Sequence, residues 1–97
     1  MKFSSIGQFT YPWQRILQES GYHQHNNSWV RRVGGDQYPR WHIYANEVAD
    51  DNVVFNIHLD QRAGVHQGAT AHAGNYDGDI VKDEVERILS FFQAHQI

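Results

Sequence analysis

RWHIYAN (Arg40–Asn46) and NVVFNIHLD (Asn52–Asp60) alternate apolar and polar residues around a polar break at Asp50–Asp51–Asn52. Period-two alternation on both sides of a turn signal predicts two antiparallel strands with one buried face. In the later strand Val53, Phe55, Ile57 and Leu59 share a side, which is the core side; Val54, Asn56, His58 and Asp60 take the other. In the earlier one Trp41 and Ile43 point inward, so His42, Tyr44 and Asn46 point out.

Working outward, SWVRRV (Ser28–Val33) stops at Gly34–Gly35 and reads as a further strand. Trp29 and Val33 inward put Arg32 outward. Two helices flank the strands. Thr10 caps the first, Pro12 suits an early helical position, Gly21 suits its end, and Trp13, Ile16 and Leu17 lie on one face. The last runs from Ile80 to Gln93 with Asp79 as cap, and Val81, Val85, Ile88, Leu89 and Phe92 form its apolar stripe. Residues 61–78 hold four of the eight glycines and few large apolar side chains, which predicts a long loop. The expected fold is a single α+β domain over residues 1–97, ordered α-β-β-β-α. A three-stranded antiparallel sheet would carry both helices on one face.

Composition narrows the functional classes. The chain has 97 residues, no cysteine, and three Trp, five Tyr and five Phe to build one modest core. Without Cys there is no disulfide, thiolate metal site or thiol nucleophile. No apolar run approaches the ~18–20 residues of a membrane span, and Met1–Thr10 lacks the pattern of a signal peptide. A cytoplasmic location and no membrane partner are expected. The net charge of −3 counts against a broad electrostatic grip on nucleic acid. Arg31, Arg32 and Arg40 nevertheless lie close together as a local basic patch.

The helix-free face is predicted to display Arg32, His42, Tyr44, Asn46, Asn56, His58 and Asp60. A wet sheet face is normally polar, so this set has a plain solvation reading. Its residue types, however, are those of chemistry rather than of solubility. His58 and Asp60, two apart on one strand, with His72 from the loop, make a candidate metal set for zinc or iron. His42, His58 and Tyr44 make a candidate acid–base set. Arg32 and Arg40 are candidate phosphate contacts, with Tyr44 available for base stacking. Asn75, Asp77, Asp79 and Glu86 match positions of a calcium loop, but Ile80 stands where that loop needs Gly, so helix capping is preferred.

WQRILQESGY (Trp13–Tyr22), WHIY (Trp41–Tyr44), VVFNIH (Val53–His58) and ERILSF (Glu86–Phe91) resemble the elements of HicA-type mRNA interferase toxins. That family has a double-stranded-RNA-binding-like fold, and by this resemblance His42 matches its catalytic His. HLDQ, AHAGNYDGD and ERI, within His58–Ile88, also resemble segments of small bacterial proteins without an assigned function. Two expectations therefore stand side by side. One is an RNA-directed domain, a ribonuclease or RNA binder with a phage or bacterial toxin-like fold; the other is a non-catalytic module, an inhibitor or small regulatory subunit, that binds a protein partner. The residues do not specify a cofactor.

Overall fold

A computed structural model describes residues 1–61 and 78–97. The chain forms β1 (Lys2–Ile6), α1 (Trp13–Glu19), β2 (His23–His25), β3 (Ser28–Arg32), β4 (Arg40–Ala49), β5 (Asn52–Asp60) and α2 (Asp79–Ala94). The fold is α+β, with an antiparallel sheet of five strands ordered β1-β5-β4-β3-β2 rather than the three expected. The two additional strands are the edges. In β1 only Phe3 is a large buried apolar residue, and β2 is HQH with every residue exposed. Neither carries an alternating apolar signal; pairing to a stronger neighbour makes each one a strand.

β4 and β5 pair as a long hairpin, with His42 opposite His58, Ile43 opposite Ile57 and a register shift between Glu47 and Ala49. β4 runs past Asn46 to Ala49, whereas β3 stops at Arg32. Val33, expected inward, lies beyond β3 and is 51% exposed; Arg31 takes the helix-side position instead, opposite Trp41.

Both helices pack on one face. Phe55, fully buried on β5, stacks on Phe3 at 5.0 Å and meets Trp13 and Phe92 at 5.8 and 5.7 Å between ring centroids. Ile16, Leu17, Val81, Val85 and Ile88 complete the helix side of this cluster, with Trp29, Trp41, Ile43 and Ile57 from the sheet. α1 ends as expected at Gly21, which adopts φ +106°. The Tyr22 N–H reaches the Leu17 carbonyl and the Gly21 N–H that of Gln18, the paired bonds of a Schellman end. Neither expected cap holds by side chain. Pro12 and Gly78 occupy the N-cap positions; Thr10 Oγ1 instead meets His95 Nδ1 at 3.3 Å, and Asp79 is the first residue of α2.

One charged residue sits on the buried side of α2. Glu84, 5% exposed, accepts hydrogen bonds from Tyr22 Oη (2.7 Å), Arg31 Nε and Nη2 (3.1 and 3.0 Å), and Arg87 Nε and Nη2 (2.8 and 3.0 Å). Burial raises its pKa, yet the bonds from Arg87, Arg31 and Tyr22 outweigh it and hold the carboxyl below its usual range. Tyr22 moves the other way: burial, then the adjacent Glu84 charge, pushes its phenol far above the ordinary value.

Candidate functional site

Residues paired across antiparallel strands share a face, so the register assigns the helix-free side directly. One row runs His23, Val30, His42, His58; a second runs Arg32, Arg40, Asp60; a third holds Lys2, Asn56 and Tyr44. Asn46 lies opposite Val54 in the next row. All seven residues expected on this face are there. Among its strand residues the fixed charges are Lys2, Arg32 and Arg40 against Asp60, so this side is locally cationic in a chain of net charge −3.

The centre of the face is a hydrogen-bonded chain across four strands. His42 Nδ1 lies 2.8 Å from Asp60 Oδ2, and His42 Nε2 lies 2.8 Å from Ser28 Oγ. Ser28 Oγ donates to the His25 carbonyl at 3.0 Å. A hydroxyl has one proton, so with that proton on His25 the Ser28 oxygen is an acceptor and His42 Nε2 is the donor. Asp60 Oδ2 accepts on the Nδ1 side, so each ring nitrogen has its own partner. The imidazole is thus fixed in orientation by partners at each end, with its side chain 15% exposed and that of Asp60 30%.

His58 stands beside it. The two imidazole centroids are 5.5 Å apart at 77°, and no hydrogen bond engages the His58 ring among the described residues. Tyr44 packs on both, at 4.7 Å from His42 and 5.7 Å from His58, and is itself 46% exposed. Arg40 Nε is 3.8 Å from Asp60 Oδ2, too far for a hydrogen bond, and is buried without a hydrogen-bond partner among the described residues. Its guanidinium lies 4.7 Å over the Tyr38 ring. Arg32 pairs directly across from Arg40, and like charges so placed repel unless an anion lies between them.

The structure brings together His42, His58, Asp60, Tyr44, Arg40 and Arg32 and separates Arg31, which belongs to Glu84 on the opposite face. Candidate ligand atoms of His42, His58 and Asp60 all lie within 4.8 Å of one another. His72, the third member of the expected metal set, and the calcium-like positions Asn75 and Asp77 lie outside the described residues. Two contributors were not anticipated. Ser28 looks like an ordinary strand start, and His25 acts through its backbone carbonyl, which no side-chain pattern records.

Set against family models, curated proteins and solved structures, the chain gives no significant match in any of the three comparisons.

Proposed function

We propose that the open face binds single-stranded RNA and cleaves it by acid–base catalysis. The observation that carries this reading is the meeting of two imidazoles, one braced by a carboxylate, on the cationic side of an acidic chain. His58, with no hydrogen bond to its ring among the described residues, takes the proton from a ribose 2′-OH as that oxygen attacks phosphorus. His42 gives a proton to the departing 5′-oxygen as the P–O5′ bond breaks, leaving a 2′,3′-cyclic phosphate and a free 5′-hydroxyl. Asp60 holds the His42 ring in orientation through Nδ1. Arg40 and Arg32 take the phosphate, and exposed Tyr44 offers a ring for an unstacked base. The resemblance to HicA-type toxins, which puts the catalytic His at position 42, points the same way.

The test is cleavage of a mixed-sequence RNA oligonucleotide, with the product ends identified by mass. His42→Ala and His58→Ala should each lower turnover by about 10²–10⁴-fold while RNA affinity stays within a few-fold. Unchanged turnover in both variants, or no cyclic phosphate from the wild type, removes the catalytic reading. RNA binding without cleavage leaves a binder. Neither binding nor cleavage turns the same face toward a protein partner, where Tyr44 would act as an interface anchor.

Binding carries its own prediction. Arg32→Ala and Arg40→Ala should each reduce the slope of log affinity against log salt by about 1, the signature of one lost phosphate contact. Tyr44→Ala should weaken binding by about 1–3 kcal/mol without altering that slope. A salt slope unmoved by either Arg substitution would take the phosphate off this face.

A further inference from the structure

We propose that His42, His58 and Asp60 form a binding site for one divalent transition-metal ion of the zinc class. This goes beyond the RNA-cleavage reading and does not depend on it. The scaffold is the best-paired part of the sheet. His42 and His58 are direct cross-strand partners, and Asp60 is two residues along β5 on the same face. Cross-strand pairing fixes the Cβ atoms of such a set, so only side-chain torsions remain to adjust. The ligand atoms already lie within 4.8 Å of one another, and metal–ligand bonds of about 2.0–2.2 Å ask for separations only modestly shorter. Side-chain rotation supplies that contraction while the backbone pairing stays as it is.

The proton directions favour a cation at this point. Ser28 Oγ donates to the His25 carbonyl, so His42 Nε2 donates to Ser28 and Nδ1 is the nitrogen turned to Asp60, 2.8 Å away. A nitrogen lone pair facing a carboxylate oxygen at that distance is repulsive without something positive between them. A metal ion can take that place. His42 would then ligate through Nδ1 with its Nε2–H still held by Ser28, the outer hydrogen bond that ligating histidines generally keep. Two imidazoles and one carboxylate, with no thiolate, suit zinc, iron(II), nickel or copper and are poor for calcium or magnesium. Partial exposure of His42 and Asp60 leaves a fourth position open to water. Among the described residues Arg40, 3.8 Å from Asp60, is a nearby charge that opposes a cation, with Arg32 paired across from it.

Occupancy would remove the very nitrogen lone pairs and proton that acid–base chemistry needs, so zinc should inhibit the proposed cleavage; that consequence alone rests on the catalytic reading. The site itself is tested without RNA, by calorimetric titration of chelator-treated protein with zinc chloride and by nitrogen-detected imidazole NMR. One zinc per chain is expected, with metal-induced shifts at His42 Nδ1 and at a His58 ring nitrogen while the His42 Nε2–H signal persists. His58→Ala and Asp60→Ala should each weaken binding at least tenfold, whereas His23→Ala, on the same row but outside the cluster, should leave it within twofold. His23→Ala also controls for folding, and circular dichroism checks the other two variants. Absence of saturable binding, or binding undiminished in both His58→Ala and Asp60→Ala, overturns the site. Failure of RNA cleavage with zinc binding intact removes only the catalytic reading.

Discussion

Glu84→Ala should cost about 3 kcal/mol of folding stability, the lower end of what removing one partner from a buried ion pair costs. Glu84 is 5% exposed and receives five hydrogen bonds, so its deletion strands Tyr22 Oη in the core and two guanidiniums at its edge. The lower end applies because the side chains of Arg31 and Arg87 are 28% and 35% exposed and can turn toward water. Tyr22, almost fully buried, has no such escape. Against a total of about 5–15 kcal/mol for a domain of this size, the loss is large, equivalent to a fall in Tm of roughly 12–24 °C. Denaturant unfolding of wild type and variant measures it. A cost below about 0.5 kcal/mol would mean that the ion-pair network is no stronger than a surface one.

The same network predicts an asymmetric response to pH. The pKa of Glu84 is lower folded than unfolded, so its contribution is present above the ordinary carboxylate value and is lost as pH falls through the depressed folded value. The pKa of Tyr22 is higher folded than unfolded, so its contribution is present below its ordinary value of 10.0 and is lost as pH rises beyond it. Stability should therefore decline on the acid side less steeply in Glu84→Gln than in wild type. On the alkaline side the decline that begins near pH 10.0 should be reduced in Tyr22→Phe. Denaturation midpoints measured from pH 3 to pH 11 test both limbs. Identical profiles for wild type and both variants would remove the network as their cause.

Phe55→Ala should cost about 3–5 kcal/mol, the range for truncating a fully buried aromatic. Phe55 is on β5, which pairs with β1 on one side and β4 on the other, and its ring is enclosed by Phe3, Trp13 and Phe92. Three separate elements close over the cavity that the alanine would leave, so collapse around it is limited, and the cost belongs toward the upper part of the range. Its neighbour Val54 has the opposite orientation, opposite Ser4 and Asn46, and Val54→Ala should cost about 1 kcal/mol or less, mainly strand propensity. The contrast between adjacent residues tests the face assignment on which the whole site depends. Equal costs at 54 and 55 would mean that the sheet is buried on both sides.

Much of the arrangement was legible because side chains on a strand alternate by covalent geometry. NVVFNIHLD needs no partner to declare that His58 and Asp60 share a side away from Phe55 and Ile57. RWHIYAN does the same for His42 and Tyr44, and Gly21 marks its helix end because it tolerates the positive φ required there. Glu84 left a weaker trace. It sits at helical spacing between Val81 and Ile88, inside the apolar stripe, but its partners Tyr22 and Arg31 are more than fifty residues away in sequence.

The chain alone thus determined which residues face together within each strand and helix, since those relations repeat over two to four residues. Only the tertiary structure decided the register and which strands flank the β4–β5 hairpin. β1 and β2 have too little apolar alternation to announce themselves, and they form because β5 and β3 offer unpaired backbone edges that a short segment can satisfy. That same register sets His42 opposite His58, with Asp60 diagonal to it and the β3 hydroxyl of Ser28 at its other nitrogen. Alternation fixes a face, but a one-residue slip between strands reverses it for the whole strand, and the buried side of the β4–β5 hairpin sets the pairing that makes these side chains a site.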